Sequence, residues 1–288
     1  MGLAFGDTEH CAVTTLFQAL GNPFKEHLQR YTEQWKRAST GVLSLEKVST
    51  DNGSLYQASL SLLRAHEDKT YPGALIASLS IPWDEAKGDE DHGGYHLVWT
   101  RDMISSASAM LAAGDRVTPL RALIYVAVSQ QQDGGFAQNF WVDGGPYWRG
   151  IQLDEVAFPI LLAWQLQREN ALQDFDPYPM ILKAAAYLIR HGPVTQQERW
   201  EEASGYSPST LASNIAALIG AAWFARDRGN EAVAALLEEY ADFLECHIEA
   251  WTVTTEGSLG PACAVRAARQ IRKRLIKGRF DLFYGDHI

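Results

Sequence analysis

Residues 207–250, SPSTLASNIAALIGAAWFARDRGNEAVAALLEEYADFLECHIEA, decide the fold. Leu211, Ile215, Leu218, Ile219 and Trp223 fall on one face of a helix over 208–227. Val233, Leu236, Leu237, Tyr240, Leu244 and His247 make the matching stripe on a helix over 230–250. Ser207 is a cap followed by Pro208 at the first helical position. Arg226-Asp227-Arg228 is a polar end, and Gly229-Asn230 supplies the turn. A connection this short makes the two helices antiparallel neighbours.

Working upstream, the same pattern predicts helices near 177–191, 155–168, 118–131 and 100–113. Before them, Asp51 or Ser54 opens a helix through His66, Asn22-Pro23 starts one through about Arg37, and Asp7-Thr8 caps one through about Leu20. The stretch Gly73–Pro82 (GALIASLSIP) has no helical period and is expected to be extended, and 84–94 is an acidic loop. Polar and aromatic motifs recur at alternate helix starts. The expectation is an all-α toroid of helical hairpins whose loops gather into a pocket at one end. Self-similarity between hairpins is too weak to define a sequence repeat.

Composition narrows the function. The chain has 288 residues, 47% hydrophobic and 21% charged, enough for one large core. A formal charge of −10 argues against nucleic acid and against anionic membranes as partners. Three cysteines, odd in number and unclustered, give no disulfide framework. The start lacks a basic segment followed by an apolar run, so no signal peptide is expected, and no stretch is apolar enough to span a bilayer. His92 and His96 lie four apart without an obvious third ligand, so neither a metal site nor a cofactor is expected. Several of the nine tryptophans sit beside Gly, Asp or Arg, a placement that suits stacking surfaces.

Three clusters carry the chemistry. Gln197-Glu198-Arg199-Trp200-Glu201-Glu202-Ala203-Ser204-Gly205 puts three carboxylates around one indole. Glycosidic cleavage needs a carboxyl group that keeps its proton, and an indole against it favours the neutral form. The bland alternative is an acidic helix start with Trp200 in the core. Tyr95 to Asp102 ends in adjacent Arg101 and Asp102, which either pair and cap a helix or grip vicinal sugar hydroxyls, one donating and the other accepting. The third cluster runs from Gln132 through Trp141 and Trp148 to Asp154-Glu155; for Glu155 a cap role at the helix start is favoured over catalysis.

The chain resembles glycoside hydrolase family 15, the glucoamylases and glucodextranases, in its bacterial branch. The resemblance rests on YHLVWTRD (95–102), QQDGGFAQNFWVDGGPYWRGIQLDEVAFPILLAW (131–164) and QERWEEASGYSPST (197–210), and reaches back to LAFGDTEHCAVTTLFQAL (3–20). It implies an (α/α)6 barrel and inverting release of β-glucose from the non-reducing ends of α-glucans such as maltooligosaccharides. It assigns Glu201 as the general acid, Glu202 to the sugar beside the cleaved bond and Glu198 to support of the acid. Arg101 and Asp102 would hold the terminal glucose. Tyr95 and Trp99 would line its subsite, and Trp148 and Trp200 would lie near the acid.

The resemblance covers about residues 1–259, expected to be a partial catalytic domain. Inverting hydrolysis also needs a second carboxylate as base. The family supplies it from a late barrel segment that has no match here, so an incomplete toroid, inactive alone, is expected. Residues 260–288 depart from the family. Arg266, Arg269, Arg272, Lys273, Arg274, Lys277 and Arg279 make a solvated basic helix or a segment foreign to the fold, with a nucleic-acid or membrane patch the least favoured reading. A glucan-binding piece without catalysis and a helical scaffold without a sugar role are the alternatives.

Overall fold

Short connections alternate with long ones along the helices, and this alternation sets the architecture. A computed structural model describes residues 2–79, 95–199, 201 and 203–253. The chain divides into two compact units, residues 1–61 and 62–288. In the first, α1 (Glu9–Leu20) begins at Thr8, whose hydroxyl accepts from the Cys11 amide at 3.2 Å. Next comes α2 (Phe24–Ala38), which exposes Phe24, Leu28 and Tyr31. A turn follows in which Asp51 accepts from Ser49, Gly53 and Leu55, hydrogen bonds that hold its carboxyl well below the usual range. Helix α3 (Ser54–Ala65) runs across the boundary between the units.

The second unit holds α4 (Thr100–Ala112), α5 (Val117–Val128), α6 (Leu153–Arg168), α7 (Tyr178–His191), α8 (Pro208–Asp227) and α9 (Glu231–Thr252). Helices α4, α6 and α8 pack side by side as an inner layer. Outside them, α5 packs on α4 and α6, α7 on α6 and α8, and α9 on α8. This is the hairpin arrangement of the (α/α)6 toroid. Burial follows the layers. Helix α8 buries residues around most of its circumference, whereas outer α9 buries one stripe, Ala234, Leu237, Ala241, Leu244 and Ile248. Two sequence expectations shift accordingly. Trp223 on α8 and Leu236 on α9 are exposed, at 40% and 56%. An inner helix has no single apolar face, and the true stripe of α9 follows Leu237 rather than Leu236.

Local chemistry sets the hairpin ends. The Ser207 hydroxyl accepts from the Thr210 amide at 3.4 Å and starts α8, and Asn230 caps α9 through the Val233 amide. Gly229 between them takes φ 71°. Arg226 bridges the pair through Glu231 and Glu238. At the far end of α9, Trp251 stacks between Tyr206 and His247, with ring centroids 4.7 Å and 5.0 Å away. This stack pins the segment before α8 to the last turn of α9.

Connections 113–116, 169–177 and 228–230 are short, and 129–152 and 192–207 are long. Antiparallel packing therefore gathers the long connections and the N-termini of α4, α6 and α8 at one end. Of the stretch expected to be extended, Ser80–Pro82 lie outside the described residues, as do the 84–94 loop, with His92, and the basic tail. No helix among the described residues is long and apolar enough to cross a membrane.

Candidate functional site

An aromatic wall forms where extended segments meet above α4. The Ala77 amide donates to the Leu97 carbonyl at 2.9 Å, and the Ser78 amide to Tyr95 at 3.1 Å. On the other side, β1 (Val98–Trp99) pairs antiparallel with β2 (Asn139–Phe140), Trp99 opposite Asn139. The 146–148 segment completes the platform. Its Tyr147 amide donates to the Asn139 carbonyl at 3.0 Å, and the Trp148 amide to the Asn139 side-chain oxygen at 2.8 Å. Trp99 and Trp148 thus leave adjacent extended segments. Tyr95 stacks on Trp99 at 5.7 Å, Trp99 meets Trp148 edge-on at 6.0 Å, and Tyr147 and Trp141 extend the series at 5.4 Å and 4.9 Å.

Arg101, in the first turn of α4, reaches across to α6. Its Nε donates to Asp154 at 2.8 Å, one terminal nitrogen donates to Gln152, and the other donates to the Arg199 carbonyl at 3.3 Å. The Glu155 carboxyl lies 3.7 Å from the guanidinium. Burial works against the charge of Arg101. The Asp154 bond and the carboxylates of Glu155, Asp154 and Asp102 outweigh it and hold the pKa above its ordinary value. A planar fork with five donors serves several acceptors at once; an ammonium in its place would keep at most part of this set.

The Arg199 carbonyl belongs to the 192–207 connection, which folds back on itself. Thr195 and Gly205 bridge at its base with bonds of 3.1 Å and 3.0 Å, and the Glu198 amide donates to Ala203 at 2.8 Å. At the tip the Glu201 amide donates to the Glu198 carbonyl at 2.8 Å, and Glu201 takes φ 65°. Thr195 ties this turn to α6. Fully buried, its hydroxyl accepts from the Leu153 amide at 3.3 Å and donates to the Gln197 carbonyl at 2.7 Å, while the Gln197 amide donates to Ile151. Gly150 passes so close to the Gln138 and Gln197 side chains that a Cβ would overlap both.

Asp102 is exposed, yet the protein around it still partly desolvates its carboxyl. Desolvation there raises its pKa. Arg101 and Arg199 pull it down, and Glu201 pushes it up. Glu201 is thus near enough to Asp102 for their charges to interact. The structure therefore brings together Arg101, Asp102 and Glu201, with Glu198 in the same turn, and gathers Tyr95, Trp99 and Trp148 in one wall. Trp200 and Glu202 lie outside the described residues. Glu155 does not cap α6: its side chain is 1% exposed and neither carboxyl oxygen has a hydrogen-bond partner of ordinary geometry. Gln152, Asp154 and Thr195 were not singled out as site residues. The first two lay inside a quoted motif, but nothing in sequence spacing links them to Arg101, about fifty positions away. Among the described residues no group of three or more His, Cys, Asp or Glu is placed to hold a metal ion.

Known proteins resemble this chain over most of its length. The sequence model of the Glycosyl hydrolases family 15 matches residues 50–262. A glucoamylase of Clostridium sp. (strain G0005) is 41% identical over 258 residues, which is 89% of this chain and 36% of that protein. The crystal structure of a bacterial glucoamylase complexed with acarbose superposes with a TM-score of 0.79 at 39% identity, over 90% of this chain and 37% of that one. The glucoamylase from Saccharomycopsis fibuligera shares the fold at 19% identity, with a TM-score of 0.55 over 66% of this chain and 46% of that one. The chain thus spans little more than a third of the length of its two nearer relatives among these.

Proposed function

Because the chain belongs to glycosyl hydrolase family 15, we propose that it carries the proton donor and the glucose clamp of an inverting, exo-acting α-glucosidase. Glu201 gives its proton to the glycosidic oxygen as the bond from C1 breaks. Water attacks C1 from the opposite face and leaves β-glucose. Asp102 accepts from hydroxyls of the terminal glucose, and Arg101 donates to them with whatever N–H groups its protein bonds spare. Tyr95 and Trp99 line the apolar side of that subsite, with Trp148 toward the acid. Glu198 supports Glu201, and Glu202 and Trp200 are assigned to the sugar beside the cleaved bond and to the surroundings of the acid. The substrate is an α-glucan or maltooligosaccharide.

The observation that supports this best is the bond from Arg101 to the carbonyl two residues before the acid, which brings the turn bearing Glu201 beside Arg101 and Asp102. None of these carboxylates is assigned the base that takes a proton from the attacking water. We assign it to a barrel segment that this chain does not match, so this chain by itself releases no glucose. Residues 260–288 are assigned no part in the site.

Acarbose, the ligand in the related bacterial structure, supplies the test. Calorimetry should show this chain binding acarbose, and Asp102→Asn should weaken binding by about tenfold or more. No binding, or binding indifferent to Asp102, removes the clamp. In a full-length version, Glu201→Gln should cost on the order of a hundredfold or more in turnover; near-normal turnover would remove the acid assignment. Glucose released from maltooligosaccharides by this chain would contradict the assignment of the base elsewhere.

A further inference from the structure

Glu155 is the buried carboxyl that the proposed chemistry leaves unused. It lies in the first turn of α6, 1% exposed, with both oxygens lacking a hydrogen-bond partner of ordinary geometry. Among the described residues the cation against it is the Arg101 guanidinium, 3.7 Å away. That guanidinium is already engaged by Asp154, Gln152 and the Arg199 carbonyl. The charged groups that act on Glu155 are Arg101 and Asp102 from α4 and its own neighbour Asp154; from the 192–207 turn, Arg199 and Glu201 act on Asp102. One guanidinium therefore faces three carboxyls.

An ionised carboxylate that is buried and not hydrogen-bonded costs several kcal/mol. Burial accordingly pushes the Glu155 pKa well above the ordinary value; Arg101 opposes this, and Asp154 and Asp102 add to it. The neutral acid asks little of Arg101, and the anion would compete for it. The nitrogen 3.7 Å from Glu155 is the one that donates to Gln152, and the other holds the Arg199 carbonyl at 3.3 Å; because the fork is planar and rigid, turning the first onto Glu155 shifts the second from its carbonyl.

We propose that Glu155 is a positioning residue whose proton keeps Arg101 on the Arg199 carbonyl, so that the turn carrying Glu198 and Glu201 stays docked beside Asp102. Loss of that proton turns the guanidinium toward Glu155 and releases the turn. The effect on sugar binding rests on the clamp proposed above. The effect on the turn does not.

Carboxyl 13C NMR on chain labelled at glutamate, with acarbose titrations and hydrogen exchange across the same pH range, tests this. One glutamate signal should stay protonated at pH values where the others have ionised, and should vanish in Glu155→Gln. Wild-type affinity should fall about tenfold as pH rises through that signal's midpoint. The isosteric Gln variant should bind as wild type on the acid side and lose the fall. The Glu198 and Glu201 amides, corrected for intrinsic rates, should lose protection through the same midpoint in wild type and keep it in the variant. The inference is overturned if every glutamate titrates in the ordinary range, if the variant keeps the pH-dependent fall, or if it binds poorly at all pH. Should wild type bind no acarbose, the clamp fails, and exchange alone decides: protection that ignores the midpoint sinks the positioning role.

Discussion

At Glu201 the backbone takes φ 65°, a region that costs a side-chain-bearing residue roughly 1 kcal/mol or more. The turn bonds to Glu198 and Ala203 hold that geometry, so strain is spent on aiming one carboxyl. Glu201→Gln keeps the shape and removes only the proton, which is why it is the right probe of the acid. Gly134 has the opposite meaning. Its φ is +99°, and a Cβ there would run into the Lys183 backbone on α7. Neither backbone can give way cheaply. Gly134→Ala should lower unfolding stability by at least about 2 kcal/mol, combining strain with overpacking. A denaturant midpoint equal to wild type would show that this loop does not seat on α7.

At the scale of elements, the hairpin ends govern how the inner helices present their N-termini. Ser207 starts α8 directly after the turn that bears Glu201. Ser207→Ala should cost about 1 kcal/mol by thermal unfolding, the usual worth of an N-cap. Arg226→Ala across the α8–α9 hairpin should cost less than that, because both it and its partners are exposed. A larger effect from Arg226 than from Ser207 would reverse that ranking. Three inner helices start at the same end, so their dipoles favour anions there. Asp102 and Asp154 both lie in first turns at this end.

For the whole molecule, pH acts through groups of opposite sense. Asp176 paired with Arg228, and Glu238 paired with Arg226, have pKa values below ordinary. Their contribution is present above the unfolded values, near 4, and fades as pH falls through the folded ones. Both are exposed pairs, so that limb is shallow. Glu155 has a raised pKa, so its contribution is full below about 4.3 and is lost as pH rises toward its folded value. Stability should therefore pass through a maximum on the acid side and decline toward neutral pH. Glu155→Gln should flatten the declining limb, as read from melting temperature against pH. An unchanged decline would place its cause elsewhere. The inner layer also exposes a groove of about 220 Å³ between α4 and α6, lined by Ile104, Ala109, Phe158 and Leu161.

Helix periodicity, Ser207-Pro208 and Gly229-Asn230 determined the hairpins from sequence, because caps, turns and apolar spacing act within a few residues of themselves. The aromatic and acidic clusters were legible for a similar reason: each keeps its members close along the chain. The turn at Thr195–Gly205, the β1–β2 pairing and the grip of Arg101 on Asp154 and the Arg199 carbonyl were not legible. The pairing and the grip join residues up to 98 positions apart, which only the packing of α4, α6 and α8 brings into register, and the turn docks on α6 through Thr195. Glu155 shows the difference most plainly. Its place near a helix start suggested a cap, whereas it is buried against Arg101 without a hydrogen bond of ordinary geometry among the described residues. What the neighbours along the chain decide can be read in order; whether a carboxyl meets water, a donor or neither is decided by what the fold lays across it.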